Sequence, residues 1–286
     1  MMDWMSRKDI RSFLEEDLGY GDITTEIFEL AQDSEGKEII KAEITAKEEL
    51  VVSGLNEAAL VFDELGAETK ILFDAGEAVK EGEILMVVKG DISSLLSAER
   101  LALNIVMRMS GIATKVHRMV KEAGGTKIAA TRKTTPGFRR FEKRAVEDGG
   151  GDTHRFRLDD MVLIKDNHIK IAGGVKEALE MAKKASFSKK IDIEVTSMDE
   201  AVEAAENGAD IIMLDNMEPE EVKQIYQEIK KIDDDILVEV SGGIDETNFK
   251  DYVGKADILS SGSITHSVDS ADVSMNIVDV TYRPGE

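Results

Sequence analysis

The hydrophobic pattern changes character partway along the chain. Before about residue 110, short aliphatic runs are interleaved with or closed by charges: EIIKAEITA (38–46), LVVSGL (50–55), TKILFDA (69–75) and EILMVVKG (83–90). Such runs, broken by turns at Gly76 and Gly82, predict strands. Ahead of them, residues 1–19 (MMDWMSRKDIRSFLEEDLG) set apolar residues at helical spacing among charges, which predicts an amphipathic helix and not a signal peptide. Behind them, 93–124 predicts one long or two consecutive helices with Ser93 as a cap. No βα repeat is visible in this part, so an α+β domain is expected.

From 126 onward, apolar strands alternate with one-striped helices. The strands are TKIAAT (126–131), MVLIK (161–165), IDIEV (191–195), DIIMLD (210–215), DILVEV (235–240) and ADILSS (256–261). The helical stretches are 173–185, 198–208, 218–231 and 246–253. Repeated βα units of this length predict a parallel sheet. A doubly wound sheet would follow its first strand with a Gly-rich fingerprint, but TRKTTPG stands there instead, so the expectation is an incomplete α/β barrel of about six strands. One earlier segment, 74–91 (DAGEAVKEGEILMVVKGD), resembles the two-turn sheet of lipoyl and biotinyl carriers. It lacks their modifiable lysine between residues of the right type and is read as architecture.

Composition narrows the function. With 286 residues and 42% hydrophobic content the chain can bury a large core, and no run approaches the roughly 18 apolar residues of a membrane span. The absence of cysteine excludes disulfides and thiolate metal sites and fits a cytoplasmic protein. A formal charge of −22 repels nucleic acid and anionic lipid, so neither is an expected partner. Against that background, Lys127–Lys170 holds eleven Lys and Arg and only seven Asp and Glu. A basic segment inside so acidic a chain points to an anion site.

The chemistry gathers where strands end. In order come Thr131-Arg132-Lys133-Thr134, Lys165-Asp166-Asn167-His168, Glu194-Val195-Thr196, Asp215-Asn216, Ser241-Gly242-Gly243 and Ser260-Ser261-Gly262-Ser263. In βα barrels these ends converge on one rim, the usual place of the active site. Arg132 and Arg155 offer planar forks for carboxylates, and Lys133 and Lys165 offer point charges for phosphate. Ser241-Gly242-Gly243 and Gly262-Ser263 are expected to leave backbone N–H groups open at helix starts, after the last two strands, where barrels keep a phosphate. Glu194 and Asp215 close consecutive strands. They suit Mg²⁺ held mainly through substrate phosphates, stabilisation of a cation formed in the reaction, or simple pairing with the lysines. Among the histidines, His154 in the run GGGDTHR is expected to reach ligand, His117 falls on a helix, and His168 and His266 stay open; no spacing suggests a zinc site.

The blocks LEEDLGYGDITT (14–25), ERLALNIVMRMSGIAT (99–114), TRKTTPGFRRFEKRAV (131–146), GGGDTHR (149–155), LIKDNHI (163–169), GADIIMLDNM (208–217), SGGI (241–244) and SGSITHSV (261–268) resemble, in order, those of the quinolinate phosphoribosyltransferases. The resemblance runs over nearly the whole chain. It implies a sandwich-like N-terminal domain over 1–112 and a barrel over 113–267, with 268–286 returning to the first domain. It also implies a homodimer or a higher even oligomer, and the Mg²⁺-dependent conversion of quinolinate and phosphoribosyl pyrophosphate into nicotinate mononucleotide, pyrophosphate and CO₂. By the same resemblance Arg132, His154, Arg155 and Lys165 match quinolinate positions, and Arg100 matches an arginine from the partner subunit. Lys133, Lys165, Glu194 and Asp215 match groups around phosphoribosyl pyrophosphate, with Lys133, Glu194 and Asp215 the catalytic set. Ser241, Gly242, Gly243, Gly262 and His266 match its 5′-phosphate loops. Arg144 stands where a tyrosine is common, and Asp152-Thr153 where Val or Ile then Asn is common. Three rivals remain at this point: the molybdenum-associated paralogue of the same fold, against which the intact IKDNH block argues, a Schiff-base aldolase using Lys165 or Lys133, and a non-catalytic, ligand-sensing barrel, which has no need of both acids and both lysines.

Overall fold

The computed structural model describes residues 4–31 and 36–284; residues 1–3 of the expected first helix and 285–286 of the expected returning tail lie outside them. The chain runs through helices α1 (Trp4–Leu18) and α2 (Ile23–Ala31), strands β1 (Gly36–Ala46) and β2 (Leu50–Val51), α3 (Leu55–Glu64), β3 (Glu68–Ile71), β4 (Ala78–Val79), β5 (Ile84–Gly90) and the long α4 (Ile92–Glu122). It continues through β6 (Lys127–Ala130), α5 (Arg139–Asp148), β7 (Val162–Ile164), α6 (Asp166–Ala172), α7 (Val175–Ala185), β8 (Ile191–Val195) and α8 (Met198–Glu206). Last come β9 (Ile211–Asp215), α9 (Pro219–Ile232), β10 (Leu237–Ser241), a 3₁₀ turn (Phe249–Tyr252), β11 (Ile258–Ser261), α10 (Ser263–His266) and β12 (Val273–Pro284).

Two compact units separate, one containing the chain up to Thr114, Arg140–Gly149 and the part from Asp269 on, the other Lys115–Arg139 and Gly150–Val268. In the first unit a four-stranded antiparallel sheet has the order β12-β1-β5-β3. Alternation explains β1: Ile40, Ala42, Ile44 and Ala46 are buried, and Lys41, Glu43 and Thr45 between them are not. β12 pairs along β1 with a register shift at Lys41/Ala42.

The sequence pattern misses α3, because Ala58–Phe62 are all buried and a helix enclosed on most sides shows no polar stripe. The expected strand 50–55 ends at Val51, and Gly54, with φ +88°, turns the chain straight into α3 where a Cβ would press on Met109 at 3.0 Å. The expected cap of α4 also moves. Asp91 accepts from the Ser94 N–H at 2.8 Å and the Ser94 hydroxyl returns a bond to the Asp91 carbonyl at 3.0 Å, so Asp91 and not Ser93 ends the helix.

Helix α5, placed with the barrel by the 113–267 expectation, groups with the first unit from Arg140 on. Its burial accounts for this: Phe141 packs its ring 5.7 Å from that of Phe13, and the fully buried Glu142 accepts from Arg108 at 2.9 Å. Asp148 accepts from the Ser53 hydroxyl at 2.6 Å.

The second unit is built on a six-stranded parallel sheet of order β6-β11-β10-β9-β8-β7. Among the described residues β6 and β7 form no ladder with each other, so the barrel is open at that seam. A single bridge there adds Asp152 to the free edge of β6, exchanging 2.8 Å bonds with Ile128 and Ala130. The outer helices turn one apolar stripe to the sheet: Val175, Ala178 and Leu179 from α7, Ala201, Ala204 and Ala205 from α8, and Val222, Ile225 and Ile229 from α9. The helix expected over 246–253 shrinks to the 3₁₀ turn. Side chains compete for its backbone there: Asp245 accepts from the Thr247 N–H at 2.8 Å, and Asn248 accepts from the Asp245 N–H at 2.9 Å.

Candidate active site

The C-terminal ends of the barrel strands surround a cavity of about 550 Å³. Of the residues singled out in the sequence, Arg132, Lys133, His154, Arg155, Lys165, Glu194, Asp215, Ser241, Gly242 and Gly243 line it. Strand register explains the gathering: Glu194 is level with Met213 and Asp215 with Ser241, so these carboxylates reach the rim from neighbouring strands. Arg100 is exposed on α4 and does not line this cavity. A second cleft of about 450 Å³ shares Arg132, Arg155, Leu163 and Lys165, and is extended by Leu158, Met161 and Lys189.

Each basic group is held by its own loop. After β6, the Lys133 N–H bonds Thr131 Oγ1 at 3.0 Å and the Thr134 N–H bonds the Arg132 carbonyl at 2.9 Å, a tight turn that holds both basic residues at the cavity. Arg139, which the sequence reading did not single out, braces two loops at once, donating to Thr134 Oγ1 at 2.9 Å and to the Phe156 carbonyl at 3.3 Å. Lys165 caps α6. The ring of His168 accepts from the Lys165 N–H at 2.9 Å and the His168 N–H returns to the Lys165 carbonyl at 2.8 Å, so His168 shapes the turn that presents Lys165. The Lys165 ammonium then pairs with Glu194 Oε2. Asp160 accepts from the N–H groups of Arg157 and Phe156 at 2.9 and 2.6 Å, bonds that hold its carboxyl below the usual range.

The two Gly loops differ from expectation in one respect. Ser241-Gly242-Gly243 leads into a loop and a 3₁₀ turn, not a helix start, and Asn248 ties it by donating to the Gly243 carbonyl at 2.8 Å. Gly242 has φ +93°, and a Cβ there would lie 2.4 Å from Asn216 Oδ1, so only glycine lets the loop after β10 pass the one after β9. Asn216 itself holds φ +54°, donates its N–H to the Ser241 carbonyl at 2.9 Å and its side-chain amide to Asp215 Oδ2 at 2.8 Å. Gly262 and His266 adjoin the rim without lining the cavity proper: a Cβ on Gly262 would lie 2.9 Å from both Lys133 Cδ and His266 Nε2. Thr265 Oγ1 donates to the Lys133 carbonyl at 2.8 Å, locking that loop to the one after β6.

Beneath the rim lies a pair of acids that the sequence reading passed over. Asp192 and Glu239 are both fully buried, and His154 Nε2 lies 3.0 Å from Glu239 Oε2 and 3.7 Å from Asp192 Oδ2. Burial first, and the neighbouring Glu239 second, push Asp192 well above the usual carboxylate range. Arg155 is moved the other way, down from its ordinary value, by burial and by Arg132, while Asp192, Asp160 and Glu239 oppose that. The signal was present: an acid in the middle of IDIEV or DILVEV is rare unless it meets a partner. The departure Asp152-Thr153 serves this region too, since Asp152 Oδ1 accepts from the His154 N–H at 2.7 Å and Thr153 Oγ1 donates to the His154 carbonyl at 3.0 Å. His117 is exposed on α4.

Fold and rim define a class first: an open parallel α/β barrel whose strand ends present forked and point cations, glycine loops and two carboxylates around one anion-sized hollow. Comparison with known proteins then specifies it. The chain belongs to the quinolinate phosphoribosyl transferase family, matching the model of that family's C-terminal domain over residues 112–276 and its N-terminal domain over 22–110. It is 46% identical to a Methanocaldococcus jannaschii protein named as a probable carboxylating nicotinate-nucleotide pyrophosphorylase, covering 95% of this chain and 96% of that one. It is 36% identical to the human carboxylating nicotinate-nucleotide pyrophosphorylase, over 85% and 84% of the two chains. The solved structure of NadC from Streptococcus pyogenes superposes with a TM-score of 0.90 at 37% identity, covering 99% of each chain. Among the described residues no helix is long and apolar enough to cross a membrane.

Proposed function

We propose that this chain is a pentosyltransferase, the carboxylating nicotinate-nucleotide pyrophosphorylase of NAD biosynthesis. It joins quinolinate to phosphoribosyl pyrophosphate and yields nicotinate mononucleotide, pyrophosphate and CO₂. The observation that carries this reading is the convergence of Arg132, Arg155, Lys133, Lys165, Glu194 and Asp215 in one cavity of a chain that belongs to this family. Family membership also sets the aldolase reading aside.

Quinolinate is a dianion, and the forks of Arg132 and Arg155 with the ammonium of Lys165 supply the matching charge. Lys133 and the loops at Ser241-Gly242-Gly243 and Gly262-His266 take the phosphate groups of the second substrate. In the transfer the bond from ribose C1 to pyrophosphate breaks, C1 becomes cationic, and the pyridine nitrogen forms the new bond. Glu194 and Asp215 face that developing positive charge from adjacent strands. In the second step the bond to the 2-carboxylate breaks. The electron pair left on C2 is stabilised by the adjacent cationic ring nitrogen, and a proton then takes its place. Mg²⁺ fits the oxygen donors Glu194 and Asp215 lining an open cavity, and would reduce the charge of the pyrophosphate as it leaves.

A homodimer belongs to the same proposal. Arg100 is exposed and outside the cavity of its own chain, and α2 leaves Ile23, Ile27 and Phe28 exposed. A second copy covering such surfaces would bring Arg100 to the neighbouring site. The test incubates purified protein with Mg²⁺, phosphoribosyl pyrophosphate and either quinolinate or nicotinate. Mononucleotide from quinolinate alone is expected; product from nicotinate, or from neither, overturns the reading.

A further inference from the structure

We propose that His154 acts as a positioning residue for Arg155, hung between the buried Glu239 and the backbone, and gives no hydrogen bond to substrate. The inference rests on the quinolinate site proposed above and concerns how that site is kept in shape.

An imidazole has two nitrogens, and here both are engaged by the protein. The N–H of Arg155 donates to His154 Nδ1 at 2.7 Å. A backbone N–H can only donate, so Nδ1 must carry its lone pair and the ring proton sits on Nε2. Nε2 in turn meets Glu239 Oε2 at 3.0 Å. The Asp192 oxygens and Glu239 Oε1 have no hydrogen-bond partner, which leaves the ring of His154 as the donor on this acid pair among the described residues. With both nitrogens turned inward, the ring has only carbon-bound hydrogens and its face to show the cavity.

What the ring does hold is the start of the Arg155 segment. His154 sits at φ +52°, a conformation that costs energy in any residue with a Cβ and persists only when its surroundings enforce it. Three bonds enforce it: Asp152 Oδ1 on the His154 N–H, Thr153 Oγ1 on the His154 carbonyl, and Nδ1 on the Arg155 N–H. The fourth, from Nε2 to Glu239 on β10, fixes the turn to the barrel sheet itself. Arg155 leaves this turn half-buried and lines both the main cavity and the side cleft. A fork that must match a carboxylate in plane and direction depends on where its Cα is held.

The same trio lies within 4.8 Å and could be taken for metal ligands. A metal on Nε2 would have to displace the proton that the Nδ1 bond places there, beside the cations Arg132 and Arg155. The geometry favours the bridge.

A double-mutant cycle reads the proposal directly. Arg155→Ala and His154→Ala each raise the KM for quinolinate, the second by about tenfold with little change for phosphoribosyl pyrophosphate. The double variant binds quinolinate no worse than Arg155→Ala alone, because His154 works through Arg155. Effects that multiply would mean that His154 meets substrate by itself and would overturn the inference. Glu239→Leu reproduces the His154→Ala loss, and Glu239→Gln, whose amide oxygen still accepts from Nε2, restores most of it. A silent Glu239→Leu contradicts the bridge. Should that variant not fold, ¹⁵N NMR of the wild-type chain gives the same decision: a protonated Nε2 and an unprotonated Nδ1, unmoved by quinolinate, is expected. A proton on Nδ1, or a stoichiometric site for Mn²⁺ on the ring, overturns the inference. Failure of the enzyme to turn over quinolinate would strike the proposed function instead and leave the NMR result standing on its own.

Discussion

Asp192 and Glu194 stand on the same face of β8, two residues apart, and have opposite circumstances. Glu194 reaches the rim, lines the cavity and pairs with Lys165. Asp192 is fully buried, has no hydrogen-bond partner for either oxygen among the described residues, and is driven toward its neutral form. β9 and β10 repeat the contrast in part, with Asp215 at the mouth and Glu239 fully buried at the cavity floor against His154. The same side chain therefore serves two ends according to depth. At the rim a carboxylate is placed to answer a passing cation, whereas on the floor it is a fixed post on which a loop is hung.

The sharpest way to break this comparison is to neutralise both levels and compare losses. Asp215→Ala at the rim is expected to lower kcat by about 10²–10³-fold with little change in either KM, since it answers charge that appears only in the transition state. A loss confined to KM would reassign it to binding. Arg132→Ala should act in the complementary way, raising the KM for quinolinate by about tenfold or more as a fork-to-carboxylate contact is lost, with a smaller change in kcat. Steady-state kinetics in both substrates separates the two.

Gly242→Ala tests whether the rim loop is held as tightly as its contacts imply. The φ of +93° and the 2.4 Å approach to Asn216 Oδ1 predict destabilisation of about 1–3 kcal/mol, seen in thermal unfolding, with a higher KM for phosphoribosyl pyrophosphate. A variant as stable as the parent would mean that the loop gives way freely.

The floor gives the smallest and most distinctive effect. Because the folded state raises Asp192, it keeps this proton at pH values where the unfolded chain has released it. Stability linked to this group is therefore fullest below the ordinary aspartate range and declines as pH climbs from there toward the raised folded value. Asp192→Asn removes the decline. Its Tm should exceed the parent's at pH 7, by about 2–4 °C for each kcal/mol relieved, and the gap should close toward pH 4. A gap that widens on acidification would show that Asp192 is charged and paired in the folded protein.

Depth also explains what could be read in the sequence. Rim residues are legible because strand runs end on them: IDIEV, DIIMLD and DILVEV stop at or beside Glu194, Asp215 and Ser241, and barrel topology then requires them to meet. Floor residues hide inside those runs, where Asp192 and Glu239 look like interruptions until His154 is seen to arrive from a loop 38 and 85 positions away. Helix α3 is hidden for a related reason, its burial erasing the stripe by which helices are recognised. The placement of α5 depends on Phe13 and Ser53, partners far away in the chain that no local window contains. The loop after β10 turned on Asp245 and Asn248, whose side chains outbid a helical pattern that was otherwise adequate.

The proposed activity requires that two anionic reactants be neutralised together at this mouth and that one of them leave it without its 2-carboxylate. Quinolinate labelled in that carboxyl group tests it most directly, with Mg²⁺ and phosphoribosyl pyrophosphate present. Labelled CO₂ should appear one for one with nicotinate mononucleotide, and none without phosphoribosyl pyrophosphate. Label retained in the nucleotide, or CO₂ released from quinolinate alone, would contradict it.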